Sequence, residues 1–141
     1  MKSLRGPAQR MRDLVAAAVL ATAVPMVFAG SALAPQVSRE GAVTVKVMPR
    51  TLAPAAATWD FEIVFDTHTA ALTGDPAQFT VLVDAQGRTH APLRWDGDPP
   101  GGHHRKGVLL FRVPDGRDGP IELRLNGVGG VATRSFRWDA R

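Results

Sequence analysis

Apolar and polar residues alternate with a period of two over most of the chain beyond residue 42. Such alternation predicts half-buried strands, because successive side chains of a strand point to opposite sides of a sheet. No segment after residue 35 shows sustained helical periodicity, so the pattern predicts an all-β domain. Seven segments follow this alternation or form an apolar run of strand length: 43–47, 59–65, 79–83, 91–95, 108–113, 121–125 and 136–138.

Turn sequences separate these predicted strands. Asp or Asn precedes glycine near residues 84–87, 115–120 and 126–127, and glycine accepts the positive φ angles of tight turns. Residues 49–57 predict an irregular connection, and residues 67–77 predict a crossover between sheets. About seven short strands in one domain favour an immunoglobulin-like antiparallel β-sandwich, with an open or closed barrel as the alternative.

The beginning of the chain has the features of a secretory signal peptide. Basic residues precede an apolar run from Leu14 to Ala29, and small residues suit cleavage after Ala29 or Ala32. The run has about 16 residues and contains Pro25, whereas a membrane-spanning helix needs roughly 20. A cleaved signal is therefore favoured over an uncleaved anchor. The chain divides into a signal peptide at 1–32, a linker at 33–41 and a β-sandwich domain at 42–141.

The signal peptide also accounts for most of the positive charge. Four of the 17 Lys and Arg residues and one of the 13 Asp and Glu residues lie in it, which leaves a net charge of +1. A nearly neutral domain without a run of Lys or Arg argues against nucleic-acid binding, which depends on phosphate neutralisation. We expect a secreted or periplasmic protein that meets a membrane only if the N-terminal segment stays attached. The chain has no cysteine, so no disulfide supports the fold.

Candidate metal ligands occur in two places. Asp66 and His68 follow the strand predicted at 59–65 and share a side of it, because residues i and i+2 point the same way. His103 and His104 belong to the segment 95–107, whose Pro-Pro-Gly-Gly sequence predicts an irregular loop. Imidazole and carboxylate groups suit copper or zinc, so Asp66, His68, His103 and His104 form a possible metal site.

Structural alternatives explain the same residues. The spacing matches no established zinc template, and the charges of Arg105 and Lys106 oppose a cation beside them. Asp66 could accept backbone hydrogen bonds in a turn, and His103 and His104 could form an exposed loop tip. In a third hypothesis, one of these histidines donates a hydrogen bond to Asp66 and pins the loop.

The other polar residues favour binding over catalysis. The segment 95–107 contributes Trp95, Asp96, Asp98 and Arg105 as candidate binding-loop residues, although Asp96 and Asp98 also suit turns. His90 is expected at the surface, and the three tryptophans are expected in the core. Because the chain lacks cysteine and tyrosine and its carboxylates are scattered, we expect no enzyme.

The sequence resembles a group of short exported or membrane-associated prokaryotic proteins without an assigned function. The resemblance covers nearly all of residues 42–138. It implies a compact β domain in which Asp66, His68, His103 and His104 recur, whereas His90 departs from the pattern. The segments that carry it are Val43-Thr44-Val45-Lys46-Val47, Trp59-Asp60-Phe61-Glu62, Asp66-Thr67-His68, Val81-Leu82-Val83-Asp84 with Gly87, Pro92-Leu93-Arg94-Trp95 and Pro99-Pro100-Gly101-Gly102-His103-His104-Arg105 with Gly107-Val108-Leu109.

Taken together, these features predict an exported, non-enzymatic β-sandwich module that binds an unknown protein or small ligand through residues 67–77 and 95–107. The alternative is a periplasmic protein that binds copper or zinc through Asp66, His68, His103 and His104.

Overall fold

The alternating segments form strands in the part of the chain that the computed structural model describes, residues 33–140. The predicted signal peptide and its cleavage site lie outside these residues. Within them, no helix is both long enough and apolar enough to span a membrane. The elements are β1 (Gln36–Ser38), β2 (Val43–Thr51), β3 (Thr58–Thr67), α1 (Pro76–Phe79), β4 (Thr80–Val83), β5 (Thr89–His90), β6 (Arg94–Gly97), β7 (His104–Arg112), β8 (Gly119–Val128) and β9 (Val131–Ala140).

The strands form two antiparallel sheets, which confirms the all-β prediction and fits a β-sandwich. One sheet has the order β1-β2-β3-β7-β6, and the other has the order β5-β4-β8-β9. Each of the hairpins β2–β3, β4–β5, β6–β7 and β8–β9 stays within one sheet, whereas the connections between these hairpins pass from one sheet to the other. The crossover predicted at 67–77 is one of these connections, and it ends in the single turn of α1.

The core lies between the sheets and is built from the inward-facing residues of the alternating strands. The centre of the Phe61 ring in β3 lies 5.6 Å from the ring centre of Phe111 in β7 and 5.7 Å from that of Trp138 in β9. Aromatic contacts therefore join the two sheets. Trp59 and Trp138 are buried, as predicted. Trp95 is only partly buried and packs against the edge of the core.

The predicted strand at 91–95 is wrong. The chain leaves the second sheet after His90 and enters the first at Arg94, so the alternation in this region belongs to no single strand. Pro92 lies at the switch, where its missing N–H cannot continue a ladder. Leu93, predicted to face the core, is 54% exposed.

The segment 95–107 is also more regular than expected. β6 extends through Gly97 and β7 begins at His104, which leaves only residues 98–103 as a loop. Regular pairing reaches this far because Gly97 lies opposite Gly107 in the ladder. Likewise, β2 continues through Thr51 into the stretch that we expected to be irregular.

The predicted linker at 33–41 contains a strand. β1 pairs with β2, and the side-chain amide of Gln36 bonds the backbone N–H and carbonyl of Arg137 in β9. The indole N–H of Trp138 donates to the carbonyl of Ala34 at 2.8 Å. These contacts attach the segment to the edges of both sheets, so it belongs to the folded domain.

Candidate functional site

Three connections lie at one end of the sandwich, which we call the loop end: residues 68–75, 98–103 and 129–130. The N–H of Gly101 donates to the carbonyl of Leu72 at 2.8 Å, and the N–H of Ala42 donates to that of Gly129 at 3.1 Å. The loops are therefore held to one another and to the start of β2.

Two of the four predicted metal ligands contact each other at this end. Asp66 of β3 lies opposite His104 of β7, and the imidazole Nδ1–H of His104 donates to Asp66 Oδ1 at 2.5 Å. Both side chains are more than half exposed. This is the hydrogen bond that the third hypothesis predicts. His104 is the first residue of β7, so it does not form a loop tip.

The other two predicted ligands have different surroundings. The Nδ1–H of His103 donates to the carbonyl of Thr67 at 3.3 Å, while the Thr67 N–H donates back to the His103 carbonyl at 2.9 Å. His68 is exposed. Within residues 33–140, no group of three or more His, Asp or Glu side chains could hold a metal ion. The copper or zinc site stays a prediction.

The turn after β3 is capped by Thr67, a role that we had considered for Asp66. The buried Thr67 hydroxyl donates to the carbonyl of Ala42 at 2.9 Å and accepts the N–H of Ala70 at 2.9 Å. A threonine hydroxyl makes such local bonds in the same way as an aspartate carboxylate. Asp66 therefore takes no part in this cap, and its side chain faces outward beside His104.

Trp95 and Asp98, predicted as binding-loop residues, hold the β6–β7 hairpin together. A Cβ atom at Gly107 would lie 2.5 Å from Trp95 Cζ2, so the glycine makes room for the indole ring. The indole N–H donates to the carbonyl of Asp98 at 3.0 Å, and Asp98 Oδ2 accepts the N–H of Lys106 at 2.8 Å. Asp96 is an exposed strand residue 3.6 Å from Arg94.

Arg105, predicted as a binding-loop residue, is buried. It lies opposite Phe65 in the ladder and therefore faces the interior, and the residue is only 3% exposed. Its Nε donates to the carbonyl of Asp98 at 2.9 Å and its Nη1 to that of Gly74 at 2.8 Å. The guanidinium carbon also lies 5.5 Å from the ring centre of Trp95, at a distance typical of a cation–π contact.

A cleft of about 280 Å³ opens at the loop end beside Arg105. It runs between the connection 71–74 and the end of β8 with the turn that follows, and both apolar and polar groups line it. A second cleft, of about 310 Å³, lies on the side of Arg105 that carries Trp95, Pro99 and Pro100. The side chains that line the first cleft include Val43, Phe65, Leu72, Phe79, Arg105 and Val128.

A cluster around the buried carboxylate of Asp84 lies at the end of the sandwich opposite the loop end, and it was not predicted as a site. The Asp84 side chain is fully buried, and its Oδ2 accepts the Nε–H of Arg88 and a ring N–H of His90, both at 2.8 Å. Its Oδ1 accepts the backbone N–H groups of Gln86 and Arg88. His90 is therefore tied to this turn, not free at the surface. With four donors around Asp84, the cluster stabilises the turn and offers no open position for a ligand.

Burial alone raises the pKa of Asp84. The hydrogen bonds from His90 and Arg88 outweigh this effect, so the pKa lies well below its usual value. The carboxylate therefore stays charged inside the protein. The sequence pattern at this cluster is an Asp at the end of a strand with Gly three residues later. This pattern predicts the turn but not the buried carboxylate.

No family model matches the chain, and no match was found among curated proteins or among solved structures. The fold thus defines the class of protein, a two-sheet antiparallel β-sandwich. The resemblance to short exported prokaryotic proteins stays a prediction.

Proposed function

We propose that this chain is an exported, non-enzymatic binding module with an immunoglobulin-like fold, and that it holds its ligand in the cleft at the loop end. The strand order supports the fold assignment. β2-β3-β7-β6 facing β4-β8-β9 corresponds to the four-stranded and three-stranded sheets of an immunoglobulin constant domain. β1 and β5 then extend the two sheets as additional edge strands.

The observation that carries the binding role is the cleft with one buried cation. Ligand sites are concave and mostly apolar, with a few polar groups that fix the orientation of the ligand. The cleft fits this description, because aliphatic and aromatic side chains line it together with the guanidinium of Arg105, the amide of Asn126 and the hydroxyl of Thr73. It also lies among connecting loops at the end of a sandwich, where such folds usually hold their ligands.

The lining of the cleft also supports a role without catalysis. Its residues include no His, Asp, Glu, Cys or Ser, so they supply no general base and no activated nucleophile. The one side-chain hydroxyl is that of Thr73. Binding is what this set of side chains can do.

The binding role can be tested by filling the cleft. Ala71 lines the cleft and is exposed, so Ala71→Trp is expected to occupy it without disturbing the core. Ala55, exposed in the connection at the opposite end, provides Ala55→Trp as the matched control. Both variants and the parent protein are compared by ¹⁵N–¹H NMR titration with a panel of small aromatic and aliphatic molecules.

We expect molecules that bind the parent protein to shift the amide resonances of Leu72, Gly127 and Gly129. Binding should be lost in Ala71→Trp and kept in Ala55→Trp. Molecules that bind elsewhere on the domain, or that bind the cleft-filled variant equally well, would contradict the proposed site.

Export is tested separately. The full chain is expressed in a bacterial host, and the intact mass of the protein recovered outside the cytoplasm is measured. We expect the mass of a chain that begins at Gly30 or Leu33, since cleavage is predicted after Ala29 or Ala32. Protein found only in the cytoplasm with its N-terminus intact would contradict this part of the proposal.

A further inference from the structure

The two buried arginines of the domain use their donors differently. Arg134 in β9 is 2% exposed, and all three of its guanidinium nitrogens donate hydrogen bonds to protein oxygens. The acceptors include the carbonyl groups of Ser38, Glu40 and Val128. The guanidinium nitrogens of Arg134 therefore all have acceptors within the protein, and Arg134 attaches the N-terminal segment to β9.

Arg105 is nearly as buried but makes fewer bonds. Its Nε and Nη1 donate to the carbonyls of Asp98 and Gly74, and these two bonds leave the N–H groups of Nη2 for a further acceptor. The Nη2 atom is not fully buried, so its N–H groups are open to solvent, and an oxygen of a ligand can take the place of water there. Arg105 lines both clefts at the loop end, where a ligand could supply that oxygen.

Among the described residues Arg105 makes no direct ion pair, although two carboxylates lie near it. None of the ion pairs found among residues 33–140 involves it. The nearest acidic residues, Asp75 and Asp98, direct a carboxylate oxygen to the backbone N–H groups of Ala77 and Lys106. Burial lowers the pKa of Arg105 in spite of these two carboxylates. The guanidinium of Arg105 is therefore partly desolvated, and no carboxylate of the described residues is bonded directly to it.

We propose that Arg105 binds the carboxylate of a small monocarboxylic acid whose apolar body lies in the cleft against Phe65, Leu72 and Phe79. The inference rests on the proposed binding function and adds the chemistry of the ligand. A carboxylate matches the planar donor geometry of a guanidinium, and the bond is stronger where water is excluded. The cleft volume of about 280 Å³ limits the ligand to a small molecule.

A pair of probes with the same shape tests this inference. 4-Phenylbutyrate carries a carboxylate, whereas 4-phenylbutanamide replaces it with a neutral amide of similar size. Both are titrated into the purified full-length protein, and the amide resonances of Leu72 and Gly129 report occupation of the cleft. We expect the carboxylate to bind at least about 10-fold more tightly, because a hydrogen bond to a charged group is stronger than one between neutral groups.

The role of Arg105 is tested by Arg105→Gln, with Arg137→Gln as the matched control on the exposed face of β9. The preference for the carboxylate should disappear in the first variant and remain in the second. Because Arg105→Gln could unfold the domain, the Nε–H resonance of Arg105 in the parent protein gives a second measurement. It should shift with the carboxylate and not with the amide.

The outcomes separate the inference from the proposed function. Equal affinity of the two probes at the cleft would overturn the carboxylate preference and leave the binding role intact. A carboxylate that shifts only amides near exposed cations such as Lys46, or a probe pair that leaves the cleft amides unchanged, would also overturn the inference. The binding role itself is judged by the cleft-filling variant and the wider panel.

Discussion

Asp84→Asn is expected to destabilise the domain strongly, although Asp84 lies far from the candidate binding site. The wild-type carboxylate is fully buried and accepts four hydrogen bonds, two from backbone N–H groups and two from the side chains of Arg88 and His90. An asparagine amide has only one oxygen. If that oxygen keeps the backbone bonds, the amide NH₂ faces two side-chain donors and both side-chain bonds are lost.

The size of the effect follows from those two bonds. A hydrogen bond to a charged group contributes about 1.5 to 3 kcal/mol. The lower end applies here because half of the Arg88 side chain is exposed to solvent. The free energy of unfolding should therefore fall by about 3 kcal/mol, which for a domain of this size lowers Tm by about 12 °C.

The effect should also depend on pH. The pKa of Asp84 in the folded protein lies below its ordinary value of 3.8, so the ionised carboxylate stabilises the fold fully above that pH. As the pH falls below 3.8, the unfolded chain takes up a proton that the folded protein does not, and this stabilisation is lost. Asparagine cannot titrate. The difference in the free energy of unfolding between the wild type and Asp84→Asn should therefore narrow by up to about 1.4 kcal/mol for each pH unit below 3.8.

Urea unfolding followed by tryptophan fluorescence, between pH 7 and pH 2.5, measures both effects. Asp96→Asn is the control, because Asp96 is 70% exposed and its change should alter stability by less than about 0.5 kcal/mol. A loss of less than about 1 kcal/mol in Asp84→Asn at pH 7 would refute the hydrogen-bond argument. If the difference in unfolding free energy between the wild type and Asp84→Asn stays constant down to pH 2.5, the pKa argument is refuted.

Other changes test the remaining features. Gly107→Ala should lower stability by about 1 to 3 kcal/mol in thermal unfolding, since the new Cβ would lie 2.5 Å from Trp95 Cζ2; an unchanged Tm would contradict this packing. Arg134→Met should cost about 3 kcal/mol or more, because several buried carbonyls lose their donor, and a smaller loss in urea unfolding would argue against the attachment role. His104→Ala should cost less than about 1 kcal/mol, because its bond to Asp66 is exposed, and a larger Tm change would show that this bond pins the hairpin. Calorimetry with Zn(II) or Cu(II) tests the alternative metal-binding function: a stoichiometric heat that His104→Ala abolishes would establish a metal site, and no such heat from the parent protein would remove this alternative.

The strands were predictable where the alternation stayed within one sheet. The patterns at 43–47, 59–65 and 121–125 lie inside β2, β3 and β8, because each of these strands buries alternate residues over these positions. The alternation at 91–95 was misleading because the chain changes sheets there. A period of two identifies a strand conformation, but it does not show where pairing stops or which strand is the partner.

The buried arginines show a different limit. Arg105 shares a face with Gly107, Leu109 and Phe111, so strand parity alone places it toward the core. Its charge argues the other way, because charged residues are rarely buried without a partner. Its partners are backbone carbonyls from two separate loops, and no sequence pattern indicates those contacts. The contact of Asp66 with His104 is hidden in the same way, since it depends on the register between β3 and β7.

Arg105 joins the Pro-Pro-Gly-Gly-His-His-Arg segment to the cleft. The hairpin holds its guanidinium through the carbonyl of Asp98 and the ring of Trp95, while the carbonyl of Gly74 holds it from the neighbouring connection. A group fixed on three sides pays little additional conformational entropy when a ligand binds. Trp95 and Asp98 then have a structural purpose, because they hold this one cation beside the cleft. A substitution such as Gly107→Ala should therefore weaken ligand binding as well as the fold, although Gly107 does not line the cleft.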